Sequence, residues 1–107
     1  MSEGKSLTLE IHVKYEVKPV EEFLNKGERS ITGRRLVEEH PELVSETAER
    51  DSKLAQEQGI PEGTNWVLFI GKDRIWCVYR DGGRLCRYGC SLEDGFDGSF
   101  WVACPSE

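Results

Sequence analysis

No apolar run in this chain is longer than the five residues Trp66–Ile70, far short of the roughly 20 that a membrane-spanning helix needs. Met1–Lys5 leads into no apolar stretch, which predicts the absence of a secretory leader. Together these absences predict a soluble cytoplasmic protein with no membrane contact, and thiols kept reduced. Histidine is scarce: there are two, His12 and His40. No HExxH, nucleophile elbow, GxGxxG or GxxxxGK(S/T) pattern occurs. The sequence therefore argues against an enzyme, although a catalytic site assembled in space leaves no such signature. Nothing points to a cofactor. The cysteines, Cys77, Cys86, Cys90 and Cys104, lack the closely spaced pairs of a structural zinc site. Their expected role is that of small buried hydrophobes. Basic residues are in the minority, 14 against 20 acids, for a net charge of -6. A field of that sign disfavours nucleic acid as a partner.

What is present is strongly patterned. Leu7, Leu9, Ile11, Val13, Tyr15 and Val17 alternate with Thr8, Glu10, His12, Lys14 and Glu16. Period two over this length predicts one half-buried strand, Leu7–Val17, ended by Pro19 and paired with a C-terminal strand. Val20–Lys26 reads as a short helix closed by Gly27, and Ser30 as the N-cap of a helix to about His40. Pro41 opens a further helix over 42–58, with Leu43, Val44, Ala48, Leu54 and Ala55 as its apolar stripe and Gly59 as its stop. Four strands follow: Trp66–Ile70, Arg74–Arg80, Arg84–Cys90 and Ser99–Cys104. Asp81-Gly82 is the strongest turn signal between them. As a two-residue loop it sets Val78 against Leu85 and Cys77 against Cys86. That makes Cys77 and Cys86 a candidate thiol pair, about 4.5 Å apart at Cα.

The predicted order is β-α-α-α-β-β-β-β, an α+β fold without the alternating units of a parallel sheet. A lone first strand needs a partner, so 1–107 reads as one domain. It comprises a first strand (1–18), a helical segment (19–60) and a four-stranded antiparallel meander (64–104), with helices on one sheet face.

Eight of the ten aromatics lie after residue 63. Both faces of the Trp66–Ile70 and Arg74–Arg80 strands are apolar enough to need cover. The helices supply one cover; strong curvature of the sheet, a ligand or a second subunit supplies the other. One face carries Trp76, Val78 and Leu85, rimmed by Arg74, Arg80 and Arg87, the composition of an interface core and rim. The opposite face, with Ile75, Cys77, Tyr79, Cys86 and Tyr88, is the one assigned to the helical stripe. Between 72 and 87, five bases against two acids give a net of +3 inside an acidic chain. The acidic loop Glu93, Asp94 and Asp97 reads as a solvated turn. The expectation is a binding or regulatory protein acting through its aromatic sheet face, by homodimerisation or by a protein partner. A small-molecule domain with a cavity between helices and sheet is the first alternative, and a small enzyme with an assembled site the second.

Overall fold

The structure, a computed structural model of the chain, describes residues 4–9 and 14–106. Its principal element is a six-stranded, mostly antiparallel sheet of order β1-β2-β8-β4-β5-β6. In chain order the strands are β1 (Lys5–Thr8), β2 (Lys14–Pro19), β3 (Ser30–Thr32), β4 (Trp66–Ile70), β5 (Ile75–Asp81), β6 (Arg84–Cys90), β7 (Gly95–Asp97) and β8 (Trp101–Ser106). Strands β3 and β7 form a separate antiparallel pair. The helices are α1 (Gly33–Glu39) and α2 (Ala48–Gln58), with single 3-10 turns at Val20–Phe23 and Pro41–Leu43. The fold is α+β, and its radius of gyration of 12.5 Å suits one compact domain of this length.

The first eleven-residue alternation is not one strand. Lys5–Thr8 folds back on Lys14–Val17 as an antiparallel pair, with Leu7 opposite Tyr15. This register matches odd residues with odd residues. Leu7, Leu9, Tyr15 and Val17 therefore stay buried on one face while the chain reverses. The two strands keep one parity, so a period-two pattern cannot reveal the reversal. Ile11, His12 and Val13 lie outside the described residues. The predicted pairing with the C-terminus holds for β2, which runs antiparallel to β8 from Lys14↔Ser106 to Pro19↔Trp101.

Nor do the last four strands form a simple meander. β4, β5 and β6 are consecutive antiparallel neighbours, but β8 leaves them and lies between β2 and β4, parallel to β4. The segment joining β6 to β8 contributes β7, whose Phe96 faces Ile31 of β3. In that position β8 pairs with two strands at once, and among the described residues β1 and β6 are the edges of the six-stranded sheet.

The helical segment differs too. Ser30 is in a strand, and the N-cap of α1 is Thr32, whose Oγ1 accepts from Arg35 N at 3.2 Å. Val20–Lys26 shrinks to one 3-10 turn. The single helix over 42–58 is broken: Ser45 N donates to Ile70 O at 2.9 Å, and Thr47 N to Ser45 Oγ at 3.2 Å, so these amides serve neighbours rather than a helix. Leu43 and Val44 pack with Leu68, Ile70, Ile75 and Cys77, whereas Ala48, Leu54 and Ala55 pack with Val67, Phe69, Trp76 and Val78. The chain thus changes sheet faces between Val44 and Ala48. One sequence stripe serves two cores, and the chain itself covers both faces of the sheet.

Candidate binding platform on the outer hairpin

The hairpin β5–β6 turns at Gly82-Gly83, with φ of 61° and 86°, and Asp81 faces Arg84. Left-handed backbone at both loop positions is what a two-residue type I′ turn requires, and glycine adopts it without a Cβ clash. The expected Asp81-Gly82 loop is therefore displaced by one residue, which moves every cross-strand partner by two. Val78 faces Arg87, Arg80 faces Leu85, Tyr79 faces Cys86 and Cys77 faces Tyr88. A two-residue slip preserves faces, so the expected set of Arg74, Trp76, Val78, Arg80, Leu85 and Arg87 still shares one side. The expected opposition of Cys77 and Cys86 is lost.

That side is not left open by the helices. α2 lies across it, with Gln56 Nε2 donating to Leu85 O at 3.3 Å and Arg87 Nη1 to Ser52 Oγ at 3.4 Å. The six residues separate accordingly. Val78 is wholly buried. Leu85 is half-buried against the same core. Arg80 clamps the connector before β4: its Nε donates to Thr64 O at 2.9 Å, and its Nη2 to Ile60 O at 3.0 Å and Pro61 O at 3.2 Å.

Arg74, Trp76 and Arg87 remain at the surface. The guanidinium carbon of Arg87 lies 4.6 Å, and that of Arg74 5.5 Å, from the centre of the half-buried Trp76 ring. Both are at cation–π distance from one indole. Gly89, opposite Trp76 on β6, makes room for this stack: a Cβ there would meet Trp76 Cζ3 and Arg74 Nη1, each at 3.2 Å. Sequence reading overlooked Gly89, although glycine inside a strand pattern signals close approach. Beside the stack is an open depression of about 250 Å³ whose lining includes Glu46, Glu49, Lys72, Asp73, Arg74 and Trp76.

On the other side of the hairpin, Tyr79 and Tyr88 meet edge to face with centroids 5.4 Å apart, and Tyr88 is 41% exposed. Cys77 and Cys90 are buried near Tyr88. Burial pushes the Cys77 thiol up to about 12 and also raises that of Cys90, helped by the charge of Asp94. Protonated thiols are poor nucleophiles. All four cysteines are free.

The remaining candidates have local partners. His40 stacks edge to face on Phe23, with centroids 5.0 Å apart, and its Nδ1 lies 3.6 Å from Glu42; His12 lies outside the described residues. In the acidic loop, Asp94 accepts from Ser91 N, Asp97 from Ser99 N, and Glu93 from Arg34 Nε at 2.8 Å. Among the described residues no three His, Cys, Asp or Glu side chains gather as a metal site, and no helix is long and apolar enough to cross a membrane. No family model, curated protein or solved structure matches the chain.

Proposed function

We propose that this chain is a non-catalytic binding or regulatory protein whose contact surface is the outer end of β5–β6, with Arg74, Trp76 and Arg87 as its core. One observation carries the reading. Two guanidiniums rest on one indole, and among the described residues neither has a carboxylate within ion-pair distance. Three other arginines do carry ion pairs: Arg34 with Glu93, Arg35 with Glu28 and Glu39, and Arg50 with Asp51. Two like charges sharing a ring repel each other, and an anionic partner relieves that repulsion. Arginine and tryptophan are also the residues most enriched at the centres of protein interfaces.

A protein partner is favoured over homodimerisation, because a second copy would present the same positive charges to this surface. It is favoured over a small molecule because the depression beside Trp76 is open rather than enclosing. The four free thiols suit a cytoplasmic location.

The test is site-specific photo-crosslinking in the source cells, with a benzoylphenylalanine in place of Lys72, exposed on the rim of the depression beside Trp76, or, as a control, of Lys26 in the loop after the first 3-10 turn. The expected result is a discrete adduct from position 72, absent from position 26, that disappears in an Arg74→Glu/Arg87→Glu background. An adduct at 72 indifferent to those charges, or no adduct, would overturn the reading.

A further inference from the structure

The open edge of β6 lies beside the arginine stack, and the two share a geometry. In an antiparallel pair, alternate residues turn their amide and carbonyl toward the partner strand and the others turn them away. Asp81 and Arg84 flank the two-residue turn and so form a hydrogen-bonded pair. Counting from there, Cys86, Tyr88 and Cys90 point their main chains at β5. Leu85, Arg87 and Gly89 point theirs outward, and β6 is the last strand of the sheet. Gln56 occupies the carbonyl of Leu85. The outward amides and carbonyls of Arg87 and Gly89 remain, next to Trp76 and Arg74.

We propose that the partner docks by strand addition: an extended acidic segment of another protein pairs with β6 over residues 87–89 and sets a carboxylate on the Arg74–Arg87 pair. The mode is β-augmentation, in which main-chain bonds supply affinity and alternate side chains supply specificity. Charge selects the occupant. Arg84 and Arg87 are the only charged residues of Arg84–Cys90, and Arg74 Nη1 reaches to 3.2 Å from where a Cβ of Gly89 would be. A side chain opposite Gly89 therefore meets no β6 side chain and two guanidiniums. A second copy pairing through β6 sets arginine rows against each other, and like charges facing across a ladder are destabilising. Single-stranded nucleic acid needs a free aromatic face for stacking, whereas this indole is half-buried and already flanked by the chain's own guanidiniums.

This inference rests on the platform reading above, and its test separates the two. The probe is the synthetic heptapeptide acetyl-Val-Glu-Val-Glu-Val-Glu-Val-amide, with its Lys counterpart as control, titrated into the full chain. Amide hydrogen exchange and chemical shifts are followed residue by residue. Expected are saturable binding of the Glu peptide, slowed exchange of the Arg87 and Gly89 amides, and at least a tenfold loss of affinity in Arg74→Gln and in Arg87→Gln. Arg74 is exposed, so its variant keeps the fold, which circular dichroism checks. Binding without slowed exchange at Arg87 and Gly89 sinks strand addition and leaves the platform standing. Equal binding of the Lys peptide, no binding of either, or a dimer through β6 in sedimentation also overturns the inference. The crosslinking result decides the platform independently.

Discussion

Tyr15 of β2 donates its phenolic hydrogen to the carboxylate of Asp51, 36 residues away on α2, where no part of Asp51 reaches solvent. Thr47 Oγ1 donates to the same oxygen at 2.7 Å, Ser45 Oγ lies 3.4 Å from the phenol, and Arg50 Nε reaches the other carboxylate oxygen at 3.4 Å. A buried charge is tolerated only when it is hydrogen-bonded, so this cluster fixes α2 to the sheet at the point where the chain changes faces. We predict that Tyr15→Phe, which removes one donor and little volume, destabilises the fold by about 1.5–3 kcal/mol, the range for hydrogen bonds to charged groups. Urea unfolding measures it. A loss indistinguishable from zero would mean that the remaining donors satisfy Asp51 alone.

The fold should also weaken in alkali. Burial pushes the thiols of Cys77 and Cys104 from an ordinary 9.0 up to about 12, and burial together with the bond to Asp51 raises the Tyr15 phenol. In each case the neutral form is favoured in the folded chain. Their contribution is therefore fully present below the unfolded thiol value near 9 and is lost as pH climbs toward 12. Cys77, wholly buried, should dominate over the half-buried Cys104. The measurement is the urea midpoint between about pH 8 and 11, where Cys77→Ala should flatten the decline. A wild-type midpoint level across that range would refute the prediction.

Which parts of this architecture were legible follows from what sequence patterns encode. Side-chain parity was legible: Leu7, Tyr15 and Val17 share a buried face as the alternation requires, although it hid the reversal between Thr8 and Lys14. The hairpin arms were legible and their register was not, because Asp81, Gly82 and Gly83 offer two overlapping glycine turns that differ by one residue. The stripe of Leu43, Val44, Ala48, Leu54 and Ala55 was seen but assigned to one helix, since helical spacing carries no mark of a face change made by hydrogen bonds of Ser45 to Ile70. For the site, Arg74, Trp76 and Arg87 were named from composition. Their convergence on one ring, the space at Gly89 and the covering of Val78 by α2 depend on tertiary packing that no local pattern reports.

Arg80 shows how composition misleads. It shares a face with Arg74 and Arg87, yet its guanidinium holds the carbonyls of Ile60, Pro61 and Thr64. Arg80→Gln should cost about 1–2 kcal/mol, low in the range for charged hydrogen bonds because the residue is exposed. It should also speed proteolysis within residues 60–65. Affinity for the acidic heptapeptide should stay within about twofold of wild type. A large loss of affinity with unchanged stability would move Arg80 from the scaffold to the binding surface.

The register of the outer hairpin can be read chemically. Tyr79 faces Cys86 as a hydrogen-bonded pair, for which Cα atoms lie about 5.5 Å apart, inside the span a disulfide accepts. Cys77 and Cys86 are diagonal neighbours, about 7–8 Å apart, beyond that span. We predict that Tyr79→Cys forms a disulfide with Cys86 under mild oxidation, while the wild-type chain forms none between Cys77 and Cys86. Peptide mapping under non-reducing conditions distinguishes the two. The same register makes Gly83, at φ 86°, intolerant of a side chain, so Gly83→Ala should cost about 1–2 kcal/mol. Asp81→Ala should be nearly neutral, because Asp81 sits in the ladder rather than in the loop. The opposite ranking, together with a Cys77–Cys86 bridge, would place the turn at Asp81-Gly82 and return those two thiols to facing positions.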